Sequence, residues 1–204
     1  MSTLNVNDIM LSIYQYYPRY ISYSKDSYQM STEYSLYKKI TNDKLLRETK
    51  NTELLTEIKK FVKDYCISIG TQTDYPSLHY SILLHEGHPI LDDDEELLIS
   101  LNGRRLDFEL YISLLSNYYY YFTIETTIDM DKTKLMFRVL FDSEILLKER
   151  DMISQLQLGL YSLGYEQIKS DIAHIIVPDV ETELKYSNEA SIFNCLFSDL
   201  IDNY

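Results

Sequence analysis

Residues 97–128, LLISLNGRRLDFELYISLLSNYYYYFTIETTI, decide the fold. Apolar and polar side chains alternate along most of this stretch with the period of a half-buried strand. Asn102-Gly103 is the dipeptide of a two-residue type I′ hairpin, because both central residues of that turn need positive φ. Such a turn pairs Leu101 with Arg104, Ile99 with Leu106 and Leu97 with Phe108. It gathers Leu97, Ile99, Leu101, Leu106, Phe108, Leu110, Ile112 and Leu114 on one face. A second hairpin follows through a three-residue loop at 115–117 with Asn117 left-handed, pairing Ile112 with Tyr120 and Leu110 with Phe122. A two-residue loop at 116–117 would set Ile112 opposite Tyr121 and scramble the faces. The strand 118–128 then leads through a turn near 129–133 to Leu135, Phe137, Val139 and Phe141, expected on the same apolar face. Residues 78–85 form a further strand.

Outward from this sheet the spacing turns helical. Asn7 or Asp8 caps a segment carrying Ile9, Met10, Ile13, Tyr14 and Tyr17, stopped by Pro18. A polar loop at 24–26 precedes a helix over 32–40. From 42 to 69, Leu54, Leu55, Ile58, Phe61, Val62, Tyr65, Cys66 and Ile69 recur at three-four spacing, and Gly70 ends the helix. After the sheet, Asp142 or Ser143 caps a helix through Ile145, Met152, Leu156, Leu160 and Leu163, closed by Gly164. The apolar run 172–177 reads as a strand, and Ser187 caps a last helix with Phe193, Leu196 and Leu200. The expected architecture is α+β: an antiparallel meander of about five strands with helices packed mainly on one face. Residues 1–204 form a single domain, helical over 1–70, sheet over 78–141, and helix, short strand and helix over 142–204.

The chain has 204 residues and a net charge of −13 at pH 7. That charge repels phosphate backbones and anionic lipid, so nucleic acid and membrane are not expected partners. It favours fast, salt-dependent association with a basic partner. Cys66 and Cys195 each sit in apolar helical patterning, without the spacing of a metal or redox pair, and read as buried hydrophobes. There is no long apolar stretch and no basic-then-apolar N-terminal region, which points to the cytoplasm.

The two metal-like motifs fail on their spacing. His85-Glu86-Gly87-His88 has a spacing of three where a helical zinc site needs four, so loop histidines are expected. Asp92, Asp93, Asp94, Glu95 and Glu96 begin like a calcium loop, but Leu97 and Gly103 stand where Gly and Glu are required. Asp107 and Glu109, two apart on one strand, lie about 7 Å apart, a distance compatible with paired glycosidase carboxylates. With Glu125 they form the hydrolase alternative. Neither a phosphate-binding glycine loop nor a Gly-x-Ser-x-Gly elbow occurs. No cofactor, no metal and no catalytic centre is expected.

The sheet face opposite the core carries Asp107, Glu109 and Tyr111 on one strand, with Tyr119, Tyr121 and Glu125 on the next. Tyrosine offers large contact area at small rotamer cost and keeps a polar tip, which suits it to binding surfaces. Together with the acidic run Asp92, Asp93 and Asp94, these residues are the candidate partner-binding set. The same tyrosines would instead be core if the N-terminal helices cover them.

Residues 16–40, YYPRYISYSKDSYQMSTEYSLYKKI, and 97–125, LLISLNGRRLDFELYISLLSNYYYYFTIE, resemble small acidic immunity proteins of bacterial toxin–immunity systems. The resemblance implies a cytoplasmic α+β domain that binds and blocks a cognate toxin, a protein with a basic surface. It carries no functional residue across. An acidic phage-type inhibitor that mimics nucleic acid is a further alternative.

Overall fold

The computed structural model of the chain describes residues 4–70, 75–90, 94–129, 134–140 and 142–200. Its centre is an antiparallel sheet in the order β1-β2-β3-β4-β5, formed by Cys66–Ile69, Ser77–Leu83, Arg104–Ser113, Tyr118–Asp129 and Lys134–Leu140. The two-residue strand β6, Glu166–Gln167, pairs in parallel with the start of β4. The α+β class and the five-stranded meander are therefore as the sequence predicts.

Helices surround the sheet: α1 (Val6–Ile13), α2 (Asp26–Gln29), α3 (Thr32–Thr41), α4 (Lys44–Phe61), α5 (Asp94–Ser100), α6 (Leu147–Ser162), α7 (Ser170–Ala173) and α8 (Ile192–Leu196). The two long helices, α4 and α6, cover one face. Leu54 and Ile58 of α4 and Met152, Ile153, Leu156 and Leu160 of α6 pack on Tyr80, Ile82, Leu106, Phe108, Leu110 and Ile112. The helices touch closely where α6 carries Gly159, since a Cβ there would lie 2.4 Å from the Phe61 ring. On the other face, Ile9 and Ile13 of α1 join Ile192, Phe193 and Leu196 of α8 over Tyr111, Tyr120 and Phe122. Leu97 and Leu101 make a smaller contact with Leu83 on that second face.

Several sequence-derived expectations are corrected. Residues 94–100 are helix α5, not a strand, so the Asn102-Gly103 hairpin does not form. Both residues do have positive φ, 56° and 80°, but they end a helix. The Gly103 amide donates to the Leu98 carbonyl at 2.7 Å and the Asn102 amide to Ile99 at 3.0 Å, the bonding pattern of a Schellman cap. Leu97, Leu98 and Leu101 are buried while Ile99 is 53% exposed, a helical spacing that the alternation of 97, 99 and 101 disguised. At the next turn the loop is 114–117, and Ile112 faces Tyr119 rather than Tyr120, with Leu110 opposite Tyr121. Leu114 and Leu115 enter the cores on opposite sides of the sheet, which requires the longer loop.

That slip of one residue exchanges the faces of β4. β5 is affected too: Leu135 and Phe137 fall on the α8 side and are 41% and 64% exposed, so they do not continue the face of Leu106. Phe141 lies outside the described residues. The helix expected to run to Ile69 ends at Phe61, and Cys66–Ile69 pairs with β2. Gly70 has no capping role; a Cβ there would meet the His79 ring at 2.9 Å, so the glycine permits close approach to the neighbouring strand. Residues 172–177 leave α7 and make a single bridge, Ile176 to Ser191. The last helix is capped by Ser191, not Ser187, through a capping box with Asn194. The cap expected at Gly164 is present, with φ 85°.

Candidate binding site

The sheet residues singled out from sequence do not share a surface. Asp107, Glu109 and Tyr111 face the α8 side, while Tyr119, Tyr121 and Glu125 face α4 and α6, because Leu106 pairs with Glu125. Tyr111 and Tyr119 are 5% and 3% exposed, and the three carboxylates are buried. Asp92 and Asp93 lie outside the described residues, and Asp94 opens α5.

Each buried carboxylate is engaged. Glu109 accepts from the Ser81 hydroxyl at 2.8 Å and contacts His79 Nε2 at 2.5 Å. Asp107 pairs with Arg105 Nε at 2.7 Å. Glu125 receives Arg104 and Arg138 on its two oxygens, each at 2.5 Å. The Arg138 hydrogen bond leads in holding the Glu125 carboxyl below the usual range, with Arg104 adding to it and burial opposing. A serine–histidine relay needs the imidazole between hydroxyl and carboxylate; here Glu109 stands between Ser81 and His79, so the histidine cannot take the serine proton. His85 Nε2 accepts the Leu106 amide at 3.1 Å, and burial pushes its pKa down, which commits that lone pair to the backbone. Among the described residues no cluster of His, Cys, Asp and Glu could hold a metal ion.

A cavity opens between residues 17–38 and residues 182–200, with Tyr75 and Pro76 also lining it. It has a volume of about 830 Å³ and its walls include Tyr17, Tyr23, Tyr28, Tyr34, Tyr37 and Tyr75, with Lys38, Glu183 and Asp199. Eight of the 20 tyrosines fall within residues 14–37. α1 ends at Ile13, Ser31 caps α3, and the short helices α2 and α3 bring Tyr28, Tyr34 and Tyr37 onto one wall. Tyr34 and Tyr37 stack at 5.7 Å between centroids, and Tyr23 and Tyr28 meet Tyr34 edge-on at 5.9 and 5.2 Å. The opposite wall is the C-terminal segment. The Tyr28 hydroxyl donates to the Glu181 carbonyl at 2.7 Å, the Tyr23 amide to the Glu181 carboxylate at 2.8 Å, and the Tyr17 hydroxyl to the Cys195 carbonyl at 2.8 Å.

The cleft is electrostatically acidic. Glu183 and Asp199 line it against Lys38, on a segment, residues 178–200, that also carries Asp179, Glu181 and Glu189 with Lys185. Burial raises the Asp199 carboxyl above its ordinary value, and Glu183 adds to the rise; the Leu184 amide and the Thr182 hydroxyl oppose it. Among the described residues neither Asp199 nor Glu183 forms an ion pair with a basic side chain. Burial also pushes the Tyr23, Tyr28 and Tyr37 phenols upward, so they remain hydrogen-bond donors at neutral pH. Sequence reading noticed the tyrosine-rich segment but not its pairing with the acidic C-terminal stretch, since nothing local signals a contact across some 160 residues. Among the described residues no helix is long and apolar enough to cross a membrane. Comparison with protein-family models, characterised proteins and solved structures gives no match.

Proposed function

We propose that the chain is a non-catalytic inhibitor that binds and neutralises a basic protein, as do the bacterial immunity proteins it resembles. The observation that carries this reading is the tyrosine-lined cleft with its unpaired carboxylates, in a chain of net charge −13. A concave aromatic surface rimmed by one sign of charge suits a binding role: the rings supply contact area and the charge speeds encounter. The docking surface in this reading is the cleft end of the molecule. Asp107, Glu109, Tyr111, Tyr119, Tyr121 and Glu125 are packed in the sheet and are not part of that surface, and the run 92–94 contributes steering charge. The protein works in the cytoplasm, where a toxin's activity has to be blocked.

Titration calorimetry against the product of the adjacent open reading frame tests the proposal. Micromolar or tighter binding, with loss of the partner's activity, is expected. The association rate should also drop steeply as salt rises from about 50 to 500 mM, the range over which screening shortens toward a few Å. Absence of binding at micromolar concentrations refutes the reading. Competition by duplex DNA for the same partner would mark it as a nucleic-acid mimic instead.

A further inference from the structure

Resting on that reading, we propose that the cleft is a guanidinium receptor, which seats an arginine side chain of the basic partner against tyrosine faces and the Asp199 carboxylate. The chain contains a worked example of this chemistry on the adjoining rim. The Arg19 guanidinium lies over the rings of Tyr14 and Tyr20 at 4.5 and 4.8 Å and pairs with Asp179 at 2.9 Å. Tyr20 and Asp179 both hold left-handed backbone, φ 62° and 63°, a conformation that costs a non-glycine residue energy and is retained where the surroundings enforce it. The cleft repeats the tyrosine rings and an aspartate, while the nearby Arg47 guanidinium donates to the Tyr75 and Ser77 carbonyls.

What is missing has a definite chemistry. A half-buried carboxylate with no counter-charge is costly, and a bidentate, weakly hydrated cation relieves it best. Asp199 accepts the Leu184 amide at 3.3 Å and the Thr182 hydroxyl, neutral donors that bring it no positive charge. The rings already tolerate a cation: Lys38 Nζ stands 5.4 Å from the Tyr34 centroid and 6.0 Å from that of Tyr37. That ammonium does not pair with Asp199. A planar guanidinium can stack on a ring and fork onto a carboxylate at once, whereas a compact ammonium does one or the other. The volume of about 830 Å³ admits a whole arginine side chain with room for the peptide that carries it.

The test uses the intact protein and methylguanidinium chloride, with methylammonium chloride at equal ionic strength as control. Calorimetry is the primary readout; because the chain has no Trp, its intrinsic fluorescence comes from its 20 tyrosines, six of which line the cleft, and serves as a second. Saturable binding of methylguanidinium, about tenfold or more tighter than methylammonium and lost about tenfold in Asp199→Asn, is expected from one charge-assisted pair. Binding of neither cation, equal binding of both, or an unchanged Asp199→Asn overturns the receptor. Asp199→Asn is isosteric, and the wild-type comparison needs no variant, so a folding failure does not decide the matter. A protein partner that binds wild type and Asp199→Asn equally well also overturns the receptor while the inhibitor reading stands. Methylguanidinium binding without any protein partner overturns the inhibitor reading and supports the receptor.

Discussion

Replacing Tyr111 by alanine separates the folded arrangement from the surface the sequence suggests. Tyr111 is 5% exposed. Its ring stacks on His79 at 4.3 Å and 11°, lies 6.0 Å from Phe122, and meets Phe193 of α8 edge-on at 5.5 Å. An aromatic side chain buries about 150–200 Å² here; at roughly 25 cal/mol per Å² that is about 4–5 kcal/mol. Measured losses for large buried aromatics cut to alanine run about 3–5 kcal/mol, because the cavity collapses only in part. An exposed tyrosine on a partner-facing sheet would instead cost within about 0.5 kcal/mol. Urea unfolding followed by far-ultraviolet circular dichroism, extrapolated to water, reads the difference directly. Tyr111→Phe keeps every ring contact and should stay within about 1 kcal/mol of wild type, since it removes only a hydroxyl. A loss below about 1 kcal/mol for Tyr111→Ala would refute the burial of this face under α1 and α8.

Glu125→Gln leaves Arg104 and Arg138 facing a neutral amide; since both arginines are about half exposed, the loss should be about 1–2 kcal/mol rather than the larger figure for a sealed pair. The Glu125 carboxyl is depressed in the fold, chiefly by Arg138. Its contribution is therefore fully present above the unfolded carboxylate pKa and vanishes as pH falls through the folded one. The stabilities of wild type and Glu125→Gln should accordingly converge on acidification, measured by urea unfolding at a series of pH values; a pH-independent gap would contradict the linkage. Gly103→Ala places a Cβ at φ 80° and 3.4 Å from the Ile128 methyl, and should lower stability by about 1–2 kcal/mol, read from thermal or urea unfolding.

How far the sequence could be read divides along lines of range. Of the helix ends expected from local chemistry, the one at Gly164 holds, with the Tyr165 amide donating to Leu160 at 3.0 Å. By contrast, Asn5, Leu146 and Ser191 stand at the N-caps expected at Asn7 or Asp8, at Asp142 or Ser143 and at Ser187, and α4 ends at Phe61. Strands β3 and β4 and their antiparallel order followed from alternation, although Asn117 between them is not left-handed as the expected loop required. Register did not, because it depends on Leu114 and Leu115 each finding a different core, and a core is assembled from distant segments. Asn102-Gly103 misled for a physical reason: a I′ turn and a Schellman cap both demand left-handed residues, so the dipeptide marks a reversal without saying what precedes it. Since side chains alternate along a strand, one wrong residue in the loop moved Tyr119, Tyr121 and Glu125 to the other side of the sheet.

With both faces of the sheet largely covered, the chemistry left for a partner lies where the ends of the chain are tied together. Arg19 bridges to Val180, and the Tyr20 amide donates to the Asp179 carbonyl at 2.9 Å. Ser22 and Tyr23 both bond the Glu181 carboxylate, and Tyr28 takes the Glu181 carbonyl. The cleft depends on these contacts, since Tyr17, Tyr23, Tyr28, Tyr34 and Tyr37 come from one part of the chain and Glu183 and Asp199 from another. A ligand held there binds the folded protein alone. Its binding free energy is then added to stability, about 2.7 kcal/mol when the free ligand stands at a hundred times its dissociation constant. The same tethers explain why the site can be pre-formed at all. Their hydrogen bonds end on backbone carbonyls and on Glu181, and Asp199 accepts only neutral donors, the Leu184 amide and the Thr182 hydroxyl, so its charge is left for an incoming cation.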